Sequence, residues 1–150
     1  MKAVSITKQG YADLVEEQTT MKKQRVITVA DLSKAREMGD LSENGFYKAT
    51  KMRLGQIDHR LEELDYYIKT ARVIDKPDEG FVSISSVVTL QTDDGIVTYT
   101  LVGELEANSL EGKISHLSPL GKAIHHKKVG EVVEMNIRDI KRTYTILKIA

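Results

Sequence analysis

Between residues 45 and 75 the positions Tyr47, Leu54, Ile57, Leu61, Leu64, Ile68 and Ala71 recur in alternating steps of three and four, with only Thr50 interrupting the series. Lys, Arg, Asp, Glu and Gln fill most of the positions between them. A stripe that narrow, sustained over more than three heptads, predicts a long helix whose seam needs a partner helix. The partner lies upstream. Residues 7–38 carry Tyr11, Leu14, Met21, Val29, Leu32 and Ala35 on one face, with Thr7 placed to cap the first turn. The β-branched run at residues 26–29 weakens the helical pattern, and Thr28 with Asp31 offers a restart, which leaves room for a kink near Val26. Gly39 supplies a residue that readily adopts positive φ and so ends a helix. The few residues between the two patterns allow only an antiparallel hairpin.

At KPDEG, residues 76–80, proline and glycine end the helical pattern and the period changes. Alternating, β-branched segments follow at residues 82–90, 96–102, 113–117, 132–137 and 143–149. Asp94 and Gly95 within TDDG make a tight hairpin turn between the first two. Residues 120–124 form one short helix, with Ser118 as cap and Pro119 in the first turn. The expected fold is α+β. Residues 1–76 form an antiparallel α-helical coiled-coil hairpin, and residues 77–150 form a small, mostly antiparallel β domain with a short helix.

Composition narrows the functional classes. Lys+Arg and Asp+Glu both number 22, so whole-molecule phosphate neutralisation cannot hold a duplex, and any nucleic-acid contact must come from a local patch. The absence of cysteine removes disulfides, thiolate metal sites and thiol chemistry. No stretch approaches the roughly 20 apolar residues of a membrane span, and the first residues lack the apolar core of a signal peptide. The reading is a cytoplasmic protein with no membrane partner. His59, His116, His125 and His126 show no metal-ligand spacing, and there is no glycine-rich phosphate loop or nucleophile elbow, so nothing points to a self-contained enzyme or a small-molecule substrate.

The chemistry concentrates in MGDLSENGFY, residues 38–47. Asp40 and Glu43 stand three apart at the start of the second helix, a spacing that suits a capping box with both acids favoured by the helix dipole. Taken alone, the spacing favours that structural role. A second role follows from position: two carboxylates at the turn of a long hairpin could be delivered into another molecule, where hard oxygen ligands suit Mg²⁺. Arg36, Lys48 and Lys51 lie within about two turns of the same place. They read equally as solvated helix surface and as a phosphate-contacting cluster.

GDLSENGFY after an AREM helix end, the long helix ending in ARVID, and then SSVVTLQT, YTLVGELEAN and ISHLSPLGKAIHHKKVGEVVEM resemble, in order and spacing, the bacterial transcript cleavage (elongation) factor family of GreA and GreB, its GreA branch more than its GreB branch. The resemblance covers almost the whole chain, and the turn motif and SPLGKAI are its specific parts. It implies an FKBP-like C-terminal domain that docks on RNA polymerase, with Ser118, Pro119, Leu120 and Gly121 as docking residues. It also implies a coiled coil extending down the polymerase secondary channel. Asp40 and Glu43 match the family's two catalytic acids, which would share the second Mg²⁺ of the polymerase active site so that backtracked nascent RNA is hydrolysed near its 3′ end and arrested complexes are rescued. On that resemblance Arg36, Lys48 and Lys51 would contact the RNA, and the chain would be no enzyme and carry no cofactor of its own. Two departures stand out: Lys51 occupies a position where the family has arginine, and Gly45-Phe46-Tyr47 replaces the usual Ala-Glu-Tyr, losing one acid and gaining a helix-weakening glycine. An inhibitory paralogue that blocks the channel without stimulating cleavage is the alternative. A prolyl isomerase, supported by fold analogy alone, and a plain coiled-coil adaptor are further ones.

Overall fold

Thr7 fixes where the first helix begins: its Oγ1 accepts a hydrogen bond from the Gly10 N–H at 3.0 Å, satisfying one of the donors that a helix start leaves open. The computed structural model describes residues 3–39 and 44–150. In chain order its elements are β1 (Ser5–Thr7), α1 (Lys8–Arg36), α2 (Gly45–Thr70), β2 (Arg72–Ile74), β3 (Val87–Thr92), β4 (Gly95–Val102), β5 (Lys113–Ser115), α3 (Pro119–Ile124), β6 (Val132–Ile137) and β7 (Ile140–Ile149), with single 3₁₀ turns at Glu104–Glu106 and Ser109–Glu111. The chain forms two compact units, Ala12–Thr70 and a second made of the residues up to Tyr11 together with Ala71–Ala150.

In the first unit α1 and α2 run antiparallel. Arg60 pairs with Glu17, Arg25 with Asp58, and Asn44 with Ala35, so partners later in α1 meet residues earlier in α2. Leu14, Thr28, Leu32 and Ala35 of α1 and Thr50, Ile57 and Leu64 of α2 are buried along the seam. Helix α1 continues without interruption through Val26, so no restart occurs at Thr28. Val29 does not face the seam as expected. Leu14, Met21, Thr28 and Ala35 repeat every seven residues, and Thr28 takes the buried place because its hydroxyl bonds the Gln24 carbonyl at 2.8 Å.

The second unit holds a five-stranded sheet in the order β5-β4-β3-β7-β6 and a separate two-stranded pair, β1 with β2. Strand pairings β3–β4, β3–β7 and β6–β7 are antiparallel and β4–β5 is parallel, so the sheet is mixed and mostly antiparallel, as the sequence predicts. The parallel pairing follows from the connection: the chain leaves β4, makes both 3₁₀ turns, and returns to the same end of its neighbour. Val82, Val88, Leu90, Leu101, Ile124, Val133, Tyr144 and Ile146 form the core. Burying each such aliphatic side chain contributes roughly 1.5–3 kcal/mol.

Two strand starts and one strand pair differ from the sequence pattern. The segment expected as a strand from residue 82 starts only at Val87, because Ser83 and Ser86 close a turn (Ser83 N–H to Ser86 Oγ, 2.9 Å; Ser86 N–H to Ser83 C=O, 2.9 Å) and Ser85 sits at φ 81°. Strand β7 starts at Ile140 rather than near 143, since Arg138 and Asp139 both take positive φ, 52° and 65°, and form a two-residue hairpin turn. The β1–β2 pair, three residues on each side, was not foreseen.

Candidate functional site at the hairpin turn

Two helix ends build the site. The last turn of α1 closes with Glu37 N–H on the carbonyls of Ser33 and Lys34 and Met38 N–H on Ala35, and Gly39 then takes φ 105°, as its position in the sequence predicts. Asn44 starts the second arm. Its Oδ1 accepts from the Tyr47 N–H at 3.0 Å, capping α2, while its Nδ2 donates to the Ala35 carbonyl of α1 at 3.0 Å. One side chain therefore satisfies an open donor at the start of one helix and an open acceptor at the end of the other.

Asp40 and Glu43 lie outside the described residues. Helix α2 begins at Gly45, so its N-cap is Asn44, not the acid pair to which the capping-box reading gave that role. Sequence reasoning passed over Asn44, although asparagine ahead of a periodic helix is a cap signal.

Arg36, the last residue of α1, and Lys48 and Lys51 in the first two turns of α2 are exposed, and among the described residues none of the three forms an ion pair. Cations farther along the arms do. Arg60 forks onto Glu17 at 2.8 and 2.9 Å and its pKa is raised by that hydrogen bond, and Arg25 meets Asp58 at 2.5 Å. Positive charge near the turn is thus left available, whereas Arg25 and Arg60 are neutralised in place.

In the second unit the four residues expected to dock build α3. Ser118 Oγ accepts from Gly121 N–H at 3.1 Å and donates to the Ser115 carbonyl at 2.7 Å, and Pro119 occupies the first helical turn. A Cβ on Gly121 would stand 2.0 Å from the Ser115 carbonyl oxygen, so only glycine allows this approach. Leu120 packs on the core. His125 ends α3, stacks on His126 at 3.9 Å and meets His116 edge-on at 6.3 Å. Burial lowers the His125 pKa, the charges of His126 and His116 add to that, and Asp78 opposes it.

Two family models match the sequence: "Transcription elongation factor, N-terminal" over residues 4–73 and "Transcription elongation factor, GreA/GreB, C-term" over residues 76–150. The chain belongs to the GreA/GreB family. Among its relatives, the transcription elongation factor GreA of Neorickettsia sennetsu is 38% identical over 152 residues, spanning 98% of this chain and 96% of that protein. The GreA of Caulobacter sp. is 40% identical over 155 residues, spanning 99% and 98%. Among solved structures, GreA factor homolog 1 of Thermus thermophilus matches at 25% identity with a TM-score of 0.47, covering 99% of both chains. Membership of this family places the chain among transcription elongation factors. The GreA relatives also disfavour the inhibitory-paralogue alternative. No helix among the described residues is long and apolar enough to cross a membrane.

Proposed function

We propose that the chain stimulates the hydrolytic cleavage of backtracked RNA by RNA polymerase, entering the secondary channel hairpin-turn first and presenting Asp40 and Glu43 to the polymerase active site. The observation that carries this reading is the Asn44 bridge: the segment holding both acids departs from α1 and enters α2 at ends tied by one side chain, which suits a rigid presenter of carboxylates. Two carboxylates are a donor set fitted to Mg²⁺, and they are too few to hold it unaided, which suits a site completed by the polymerase. The ion, when bound, would stabilise charge on the phosphate being cleaved. This chain's own acids would hold it and orient the attacking water, while the exposed Arg36, Lys48 and Lys51 contact phosphates of the extruded RNA. Ser118 to Gly121 would anchor the second unit on the polymerase.

The test is RNA cleavage in a purified, backtracked elongation complex with Mg²⁺, comparing the wild-type chain with Asp40→Ala/Glu43→Ala. Release of short 3′ fragments by the wild type, and none by a double variant that still competes for polymerase, is the expected result. A wild type that binds without stimulating cleavage would overturn the proposal.

A further inference from the structure

Arg60 and Glu17 form a frame that recurs one heptad nearer the turn with its acid missing. Arg60 forks onto both oxygens of Glu17, Nε to Oε1 at 2.8 Å and Nη2 to Oε2 at 2.9 Å. Seven residues farther along α1 and seven earlier in α2, the equivalent places are held by Gln24 and Arg53. The cation is kept and the carboxylate becomes a neutral amide. Among the described residues Arg53 forms no ion pair, although it and Gln24 line the same groove. That groove holds about 490 Å³ between Met21, Gln24 and Ile27 of α1 and Arg53 and Gln56 of α2, over Thr28 and Ile57. Thr28 and Ile57 are buried, and the Thr28 hydroxyl donates to the Gln24 carbonyl at 2.8 Å, so the floor leaves nothing polar unpaired. Ile27 is 63% exposed, an apolar wall that the hairpin itself does not cover.

We infer that this groove binds a small monocarboxylate with an apolar body, whose carboxylate takes on Arg53 the place that Glu17 takes on Arg60. A guanidinium presents parallel N–H donors matched to the two oxygens of a carboxylate, as the Arg60 pair shows. One cation balances one negative charge, so a carboxylate suits the site better than a doubly charged phosphate ester, whose second charge would be partly desolvated without a partner. The body lies over Ile57 between Met21 and Ile27, in a space of the size that takes small molecules. Gln24 and Gln56 border it with amide donors and acceptors. A protein helix is a poorer occupant, since covering both amides with aliphatic side chains would leave them unpaired. A ligand held by residues of both arms binds the folded hairpin alone, and so stabilises it by mass action.

The experiment titrates naphthoate into the full chain, following heat by calorimetry and the Arg53 Nε–H and glutamine side-chain signals by NMR. Saturable binding, shifts at Arg53, Gln24 and Gln56, and a raised melting temperature of the hairpin are expected. Naphthamide keeps the body without the charge, and acetate the charge without the body; each should bind about tenfold more weakly or less well still. Arg53→Gln is expected to raise the dissociation constant about tenfold, and Arg53→Lys, which keeps the charge without the fork, to recover part of the loss. Gln24→Glu supplies the missing acid from within the chain, so it should abolish binding while raising the melting temperature of the free protein. No binding by the wild type at millimolar naphthoate, or binding unchanged in Arg53→Gln or Gln24→Glu, overturns the proposal. Naphthyl phosphate binding as tightly as naphthoate removes the carboxylate assignment. If the unliganded chain is a dimer that Gln24→Glu disperses, the groove is an interface between copies and the ligand site falls.

Discussion

Glu106 receives the Thr7 backbone N–H at 2.9 Å and the Thr7 hydroxyl as well, across 99 residues of sequence. The same carboxylate accepts from the Gly103 N–H at 3.1 Å, so one acid from a 3₁₀ turn caps both its own turn and the start of α1. Charge-assisted bonds to donors that burial leaves with few alternatives contribute more than ordinary ones. Glu106→Ala should lower unfolding stability by about 2 kcal/mol, and Glu106→Gln, which keeps one carbonyl acceptor, by less. Calorimetric melting of the two variants beside the wild type checks the order, and an unchanged melting temperature for Glu106→Ala would refute it.

Thr50 sits in the α2 seam at 0% exposure, and among the described residues its hydroxyl has no hydrogen-bond partner. Thr28 differs in having the Gln24 carbonyl. Replacing the hydroxyl by a methyl removes an uncompensated polar group at nearly constant shape, so Thr50→Val should stabilise the hairpin by about 1 kcal/mol. The denaturant midpoint of helical circular dichroism should rise; a fall would show that the hydroxyl is satisfied in solution.

Asn44→Ala removes the α2 cap and the bond to Ala35 together, with an expected loss of about 1–2 kcal/mol. Asn44→Asp keeps the acceptor for Tyr47 N–H but has no donor for the Ala35 carbonyl, and should retain helix α2 while loosening its tie to α1. Amide exchange would separate the two: protection of the first α2 turns lost in Asn44→Ala but kept in Asn44→Asp, with Met38 less protected in both.

His125 gives the second unit a pH dependence. Its folded-state pKa is lowered, chiefly by burial and then by His126 and His116, with Asp78 acting in opposition. At pH near 6.5 and just below, the unfolded chain binds the proton more readily than the folded one. The contribution is therefore complete above the unfolded value, diminishes as pH falls from about 6.5 toward the lowered folded value, and levels off below it. The melting temperature should drop between neutral and mildly acidic pH, and His125→Gln should flatten the curve. Equal slopes in both proteins would count against this assignment.

The hairpin was readable because a heptad stripe is long and redundant: missing the Thr28 register by one residue left both helices intact. Ser118, Pro119 and the TDDG turn were readable because their residue types favour particular backbone geometries. The β1–β2 pair was not, since three residues show no period and the pairing partners stand 67 positions apart, as Ser5 and Arg72 do. Arg138 and Asp139 lack the glycine or asparagine that announces a positive-φ turn. At the candidate site the acids drew attention through charge, while Asn44, which ties the arms, carries none. The groove lined by Met21, Ile27 and Arg53 was hidden for another reason: it depends on how two helices are phased against each other, which neither stripe specifies alone.

The pairing of β1 with β2 makes residues 12–70 an excursion from the sheet unit, leaving after one short strand and re-entering at its neighbour. Arm length is then a free parameter. Adding one heptad to each arm would keep the seam in phase, leave every sheet contact untouched and lengthen the hairpin by about 10 Å. The arms are graduated in heptads, and the length of the hairpin can be reset in such steps without redesigning the sheet unit.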